Sequence, residues 1–574
     1  MKRVQAQRWA GKAQWGVFLL LFVCLMIRTQ FCMNGPDESY YLAKTYAMQM
    51  GVQPIAQISG FTQFSNILLM PFMWCYRLFT GGVQGIYLAS RVLAVVLQTA
   101  VSMAVWRWLS TLTRPIAALL GAVLCQLFIP LNLTALSYNS MGLFFILLFF
   151  CFAQPLPDNP HWLRAAASGL TFALAVAAYP PLVLLVPICA AIWLQCPAKT
   201  KARLLGCFVA GALVPTVMVV GWLLNRLGFT GLLAALPNLM ISDVAHQSSG
   251  GILSSIRQYI SDFIWWFGLP FLAAVVAVTL LAAAVRIKPS CQWLKRLFWL
   301  AFFGVSAWGL LMKPGGLFWG NFKLVPMALL APAVFLAAKP RKPMTGLLLW
   351  CGGILYSIGI ALGTDVGLVN ASYGFLLCNL AVIVWLAEEQ AFDADWQKWL
   401  LAALAALLLV QLAVIRFGTD FVGDVFASNT RIAQGPSAGM LDTPETVDYY
   451  QSTCQVLQQN VQPGETLFVM NVLPWAYMAC DSIPATPDYW IHSVSDPMIQ
   501  RYYTQSEEQL PQVIYLAGKN PAAKTDYNFE TPRAQDMEES WIRGQLMEKY
   551  SEKIQTSGTI YIRKDTSNFV EKTN

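Results

Sequence analysis

The stretch "PIAALLGAVLCQLFIPLNLTALSYNSMGLFFILLFFCFAQPLP", residues 115–157, contains no charged residue. A helix crosses the hydrocarbon of a bilayer with roughly 20 apolar residues, so this run is too long for one span. It breaks at "PLNLTALSYNS", where turn-forming residues interrupt it, and reads as two spans joined by a short polar turn. The pattern continues on both sides. Residues 14–33 and 85–108 form single spans before it, the second with Arg91 inside it. Residues 165–198 hold two short spans hinged at "AYPPL". Further spans lie at 203–225, 264–285, 296–312, 324–338, 344–363, 367–387 and 399–416. The expected fold is an α-helical polytopic membrane protein of about 13 transmembrane helices. Composition agrees: the 574 residues are 57% hydrophobic and only 12% charged, where a soluble domain carries about a quarter charged residues.

The N-terminus, "MKRVQAQRWAGKAQWGVFLLLFVCLMI", has the basic start and apolar run of a signal peptide. No small-residue cleavage site follows it and more spans come after, so it reads as a retained first helix. The 13 cysteines lie mostly in apolar runs, where they serve as small hydrophobes. No His/Cys cluster with zinc spacing occurs. Cys454 and Cys480 fall in a polar tail and can pair if that tail is extracytoplasmic.

Lys and Arg set orientation. Lys2, Arg3, Arg8, Lys12, Arg107, Arg114, Lys199, Lys201, Arg203, Arg286, Lys288, Lys295, Arg296, Lys339, Arg341 and Lys342 all fall on one side, which is therefore cytoplasmic. The net charge of +8 is accounted for in this way and implies no nucleic-acid partner. An odd number of spans puts the C-terminus outside. The expected division is a transmembrane domain, 1–417, with a first outer loop at 34–84, and an extracytoplasmic α/β domain, 418–574. In the tail, the strand-like "TLFVMNV" and "QVIYLAG" alternate with the helix-like "TPETVDYYQSTCQVLQQN", which opens on an N-capping signal.

The first outer loop begins "NGPDESYYLAK", residues 34–44, with two adjacent acids, Asp37 and Glu38. The apolar spacing in "ESYYLAKTYAMQM" suits an amphipathic helix lying along the interface, and "FSNILLMPFMWCYRLF" reads as a second one. Taken alone, acids at such a helix start are explained by N-terminal capping and the helix dipole.

The order is a basic N-terminus, one span, an acid pair, two interfacial helices and a span with an outer-end Arg, followed by a large bundle and an outer domain. This resembles the GT-C fold glycosyltransferases, including the protein O-mannosyltransferases and the aminoarabinose transferases. "GPDESYYLAKTYAMQMG" is similar to their first loop, and "LLMPFMWCYRLFTGGVQGIYLASRVLAVVLQT" to their second interfacial helix entering span two. The resemblance implies an inverting glycosyltransferase that takes a sugar from a polyprenyl-phosphate donor to an acceptor at the outer face. The acceptor class (protein, cell-wall polymer or glycolipid) stays open. Asp37 matches the catalytic aspartate, a general base on the acceptor. Glu38 matches the second acid, which orients an arginine on the donor phosphate, and Arg91 matches that arginine. The alternative for Arg91 is snorkelling to the interface. Tyr40 and Tyr41 would floor the site among membrane lipids.

The next outer loop, "PLNLTALSYNSMG", departs from the family in having no acid. Hard cations prefer carboxylate oxygens, so the reaction is expected to need no metal, and no cofactor is implied. Tyr138 and Asn139 are candidates to hydrogen-bond sugar or phosphate, or else form an ordinary turn. Asp243 and His246 are further candidates for the site, although a loop His is commonly just solvated. Lys313 and Lys323 stand on the side that the positive-inside rule leaves poor in cations, which phosphate binding would explain. The rival class is a flippase or other multi-pass transporter, whose usual inverted repeats are not found here.

Overall fold

The computed structural model describes residues 2–33, 36–58, 63–237, 251–312, 319–338, 340, 343–363, 367–387, 394–418, 425–470, 473–489, 500, 502–503, 510–518, 544, 548–555 and 557–564, with the backbone alone at 2–12, 36–37, 251–252, 319 and 321. The helices in chain order are α1 (Lys2–Arg28), α2 (Pro36–Gln49), α3 (Gln63–Thr80), α4 (Ile86–Leu109), α5 (Pro115–Leu127), α6 (Tyr138–Ala153), α7 (Trp162–Ala178), α8 (Val186–Gln195), α9 (Ala198–Ala235), α10 (Gly251–Ile287) and α11 (Gln292–Leu311). They continue as α12 (Trp319–Phe322), α13 (Val325–Ala338), α14 (Pro343–Gly363), α15 (Leu368–Ala371), α16 (Phe375–Leu386) and α17 (Asp395–Gly418).

Among the described residues, seven helices are long and apolar enough to cross a membrane, and six shorter apolar helices accompany them. Each expected span is occupied by one of these. Large apolar side chains such as Leu19, Val217, Leu280 and Val410 point outward, as a lipid-facing surface requires. α9 and α10 run past the expected spans 203–225 and 264–285. Each is broken at a glycine of positive φ, Gly228 (67°) and Gly268 (76°), a conformation that glycine reaches without a Cβ clash.

Lipid tails are as apolar as leucine, so packing and interhelical hydrogen bonds hold such helices together. Gln98 of α4 shows the second device: its amide donates to the carbonyls of Cys125, Gln126 and Phe128, where α5 ends. The α7–α9 crossing shows the first. A Cβ on Gly169 would overlap the carbonyl of Phe208, and one on Gly211 the carbonyl of Ala166. Gly169→Val is expected to lower the melting temperature of the detergent-purified protein, with overpacking costing about 3 kcal/mol. Gly206→Val, on α9 with nothing within 4 Å, should melt like the unsubstituted chain. Equal melting of the two variants would refute the close crossing.

Beyond α17 the chain changes class. It forms β1 (Thr430–Arg431), β2 (Leu441–Asp442), α18 (Pro444–Asn460), β3 (Thr466–Val469), α19 (Ala476–Ala479), β4 (Ile483–Pro484), β5 (Val513–Ala517), β6 (Tyr550–Gln555) and β7 (Gly558–Arg563). β1 and β2 make a ribbon, and the others form a five-stranded sheet in the order β4-β3-β5-β7-β6. β3 is parallel to both β4 and β5, whereas β7 is antiparallel to β5 and β6. Thr443 caps α18, accepting from the Thr446 N–H, with Pro444 at the first helical position. Cys454 and Cys480 are both free and buried. Burial pushes their thiols up, to about 12 and about 11.

The tail is fastened to the helical part close to the acid pair. The Leu441 N–H donates to the Gln30 carbonyl at 2.7 Å and its carbonyl accepts from the Cys32 N–H at 2.8 Å. The Met33 N–H donates to Asp442. The N–H groups of Gly85 and Tyr87, where α4 begins, donate to the carbonyls of Gly435 and Pro436.

Candidate active site

α2 starts at Pro36, whose fixed φ and missing N–H suit a first helical position, so both acids lie in its first turn. The Asp37 side chain, together with Asp243, His246 and Lys313, lies outside the described residues. Glu38 is 2% exposed and its two oxygens are divided between two structures. Oε2 accepts from Arg91 Nε at 2.8 Å and lies 2.6 Å from Arg91 Nη2. Oε1 accepts from the N–H groups of Thr134 and Ala135, at 2.8 and 3.0 Å, and from the Thr134 hydroxyl at 3.0 Å. These donors belong to the acid-free turn between α5 and α6. Leu131 and Asn132, both at φ 55°, carry the chain through the left-handed region there, a conformation that asparagine tolerates better than leucine.

Arg91 is fully buried. Besides Glu38, its Nη1 donates to the carbonyls of Thr29 and Phe31, at 3.1 and 2.8 Å. The guanidinium thus ties α4 to α2 and to the segment leaving α1. Arg28 joins the same point, donating from Nη1 to the Phe31 carbonyl at 2.8 Å and from Nε to the Arg416 carbonyl at 3.2 Å. Arg416 reaches Asn132, whose amide donates to the Ile415 carbonyl at 3.2 Å. Arg91 thus pairs with Glu38, and Arg28 and Arg416, from the last turns of α1 and α17, are linked to it through the Phe31 carbonyl. Burying such charges is costly unless they are paired and hydrogen-bonded, and the Glu38–Arg91 pair meets that requirement.

The structure brings four of the predicted tyrosine and asparagine candidates to this end of the bundle. Tyr41 packs edge-on against Tyr40 at 5.4 Å and against Tyr138 at 5.5 Å. Tyr138 stacks on Tyr179 at 5.1 Å. Asn139 is buried beside Tyr138 at the start of α6. Lys323 sits against the C-terminal end of α11. It is buried, and its Nζ donates to the carbonyls of Leu310 and Met312 at 2.6 and 2.9 Å, satisfying the C-terminal end of α11. These bonds give this cation a structural role that the charge count alone did not suggest.

Sequence reasoning missed the second anchor of α2. Lys44, fully buried, lies over the Tyr40 ring at 4.1 Å, donates to the Tyr40 hydroxyl and pairs with Asp488 of the tail at 3.4 Å. The Tyr46 hydroxyl contacts Asp481 at 3.4 Å, and burial pushes that phenol far above its ordinary range. Arg28, Lys44 and Arg416 are cations on the expected outer side. The imbalance that singled out Lys313 and Lys323 would have found them too.

No family model matches the chain, and no curated protein matches it. Among solved structures it is similar to ArnT from Cupriavidus metallidurans bound to undecaprenyl phosphate, with 13% identity over 97% of this chain and 98% of that one and a TM-score of 0.41. ArnT from the same organism in the apo state gives 14% identity, the same coverage and a TM-score of 0.39.

Proposed function

We propose that this protein is a membrane glycosyltransferase that moves a sugar from a polyprenyl-phosphate donor to an acceptor at the extracytoplasmic face. The observation that carries the proposal is the fixation of the acid-bearing turn of α2. Glu38 is held by Arg91 on one side and by the Thr134–Ala135 backbone on the other, which sets the position of the neighbouring Asp37 backbone. Asp37 is the general base: its carboxylate takes the proton of the acceptor O–H as that oxygen bonds to the anomeric carbon. The bond from that carbon to the phosphate oxygen breaks on the opposite side, and polyprenyl phosphate leaves. A single displacement of this kind inverts the anomeric centre. Glu38 and Arg91 are positioning residues, since the guanidinium is already engaged by Glu38 and two carbonyls. A lipid-linked donor lies in the membrane, so a site at the ends of spans suits it.

The test is reconstitution into vesicles with a radiolabelled polyprenyl-phosphate sugar in one leaflet. Label appearing on an added acceptor, with no donor crossing the bilayer, is the expected result. Donor crossing without transfer would establish the transporter reading instead.

A further inference from the structure

On the outside of the α1–α4 contact lies a groove of about 540 Å³, within the range of small-molecule sites. Phe22 and Met26 of α1 form one wall, and Leu88 and Val92 of α4 the other. Each pair is four residues apart, so each wall is a stripe along a helix. One end of the groove is polar, closed by Gln30 and by Arg431 of β1. Arg431 arrives there because it pairs with Leu441, which is itself bonded to Gln30 and Cys32. Its side chain is exposed, and among the described residues it has no ion-pair or hydrogen-bond partner. Val23 and Ile27, which also line the groove, are about half exposed, at 45% and 53%. The groove therefore opens onto the lipid-facing surface of α1.

We infer that this groove binds an anionic glycerophospholipid of the leaflet on the tail's side. An acyl chain lies between the two stripes and the headgroup phosphate meets Arg431 and the Gln30 amide. Apolar walls running along the span and a single cation at the headgroup level match a lipid in both shape and charge. A cation at a membrane surface favours anionic over zwitterionic lipid by about five-fold. The lipid would steady the segment 29–31, in which the Thr29 and Phe31 carbonyls hold Arg91.

The full-length protein, purified in mild detergent and delipidated, is titrated with dioleoylphosphatidylglycerol or dioleoylphosphatidylcholine and examined by native mass spectrometry. Retention of phosphatidylglycerol about five-fold above phosphatidylcholine is expected. Arg431→Glu should abolish that preference without lowering the melting temperature, since the side chain is exposed. Val92→Trp should abolish retention of both lipids by filling the groove. Equal retention of the two lipids by the unsubstituted protein, or undiminished retention in Val92→Trp, overturns the inference. So does a site that holds only added polyprenyl phosphate.

Discussion

An Asp37→Asn protein is expected to fold and melt like the unsubstituted one while its transfer rate falls by roughly 10²–10⁴-fold, the usual contribution of a positioned general base. The substitution isolates the base from the other role open to an acid in the first turn of α2. A carboxylate near a helix N-terminus stabilises the helix by about 0.3–1 kcal/mol through the dipole. Asparagine keeps the size and the hydrogen-bonding oxygen and loses only that small term. A stability role therefore predicts a small shift in melting and full activity, whereas the catalytic role predicts the reverse. The decisive reading is single-turnover transfer at saturating donor, alongside a melting curve of the same preparation. Activity within two-fold of the unsubstituted enzyme, an order-of-magnitude margin set against the expected loss, would refute the catalytic role of Asp37.

Arg91→Met should be the most destabilising single change at this site. It leaves the buried Glu38 carboxylate without its cation and the Thr29 and Phe31 carbonyls without their shared donor. Breaking a buried pair from one side costs about 3–5 kcal/mol. Glu38→Gln should cost a comparable amount by leaving the cation uncompensated. The double variant, Arg91→Met with Glu38→Met, removes both charges and should recover part of the loss. Recovery stays incomplete because the Thr134 and Ala135 N–H groups lose their acceptor, and each buried unsatisfied donor costs about 1–3 kcal/mol. Melting of the four proteins forms a double-mutant cycle. If Arg91 also serves the donor phosphate, Arg91→Met raises KM for the donor in addition to lowering the melting temperature.

Much of this was legible in the sequence. The spans are dictated by the bilayer, which admits only uninterrupted apolar helices of fixed minimum length, so walking from charge to charge located them. The tail strands "TLFV" and "VIYLA" and the Thr443 cap were equally local. The acid pair and Arg91 stood out because ionisable residues are expensive at a membrane. What remained hidden depended on distance along the chain. The acid-free turn after α5 was read for what its side chains lack, but its contribution is made by backbone N–H groups, which have no residue-specific signature. The proximity of Lys323 to the end of α11 is likewise not visible in one dimension.

The amino-acid sequence alone determined a polytopic helical protein with a mixed α/β tail and a charged turn just after the first span. Hydrophobic periodicity and the cost of burying charge act locally and leave local marks. The tertiary structure alone decided which charges meet. Glu38 finds Arg91 at a separation of 53 residues and Thr134 at 96, and Lys44 finds Asp488 at 444. A buried ion needs a partner, but nothing in the chemistry of one residue names that partner. Only packing of the helix ends does so.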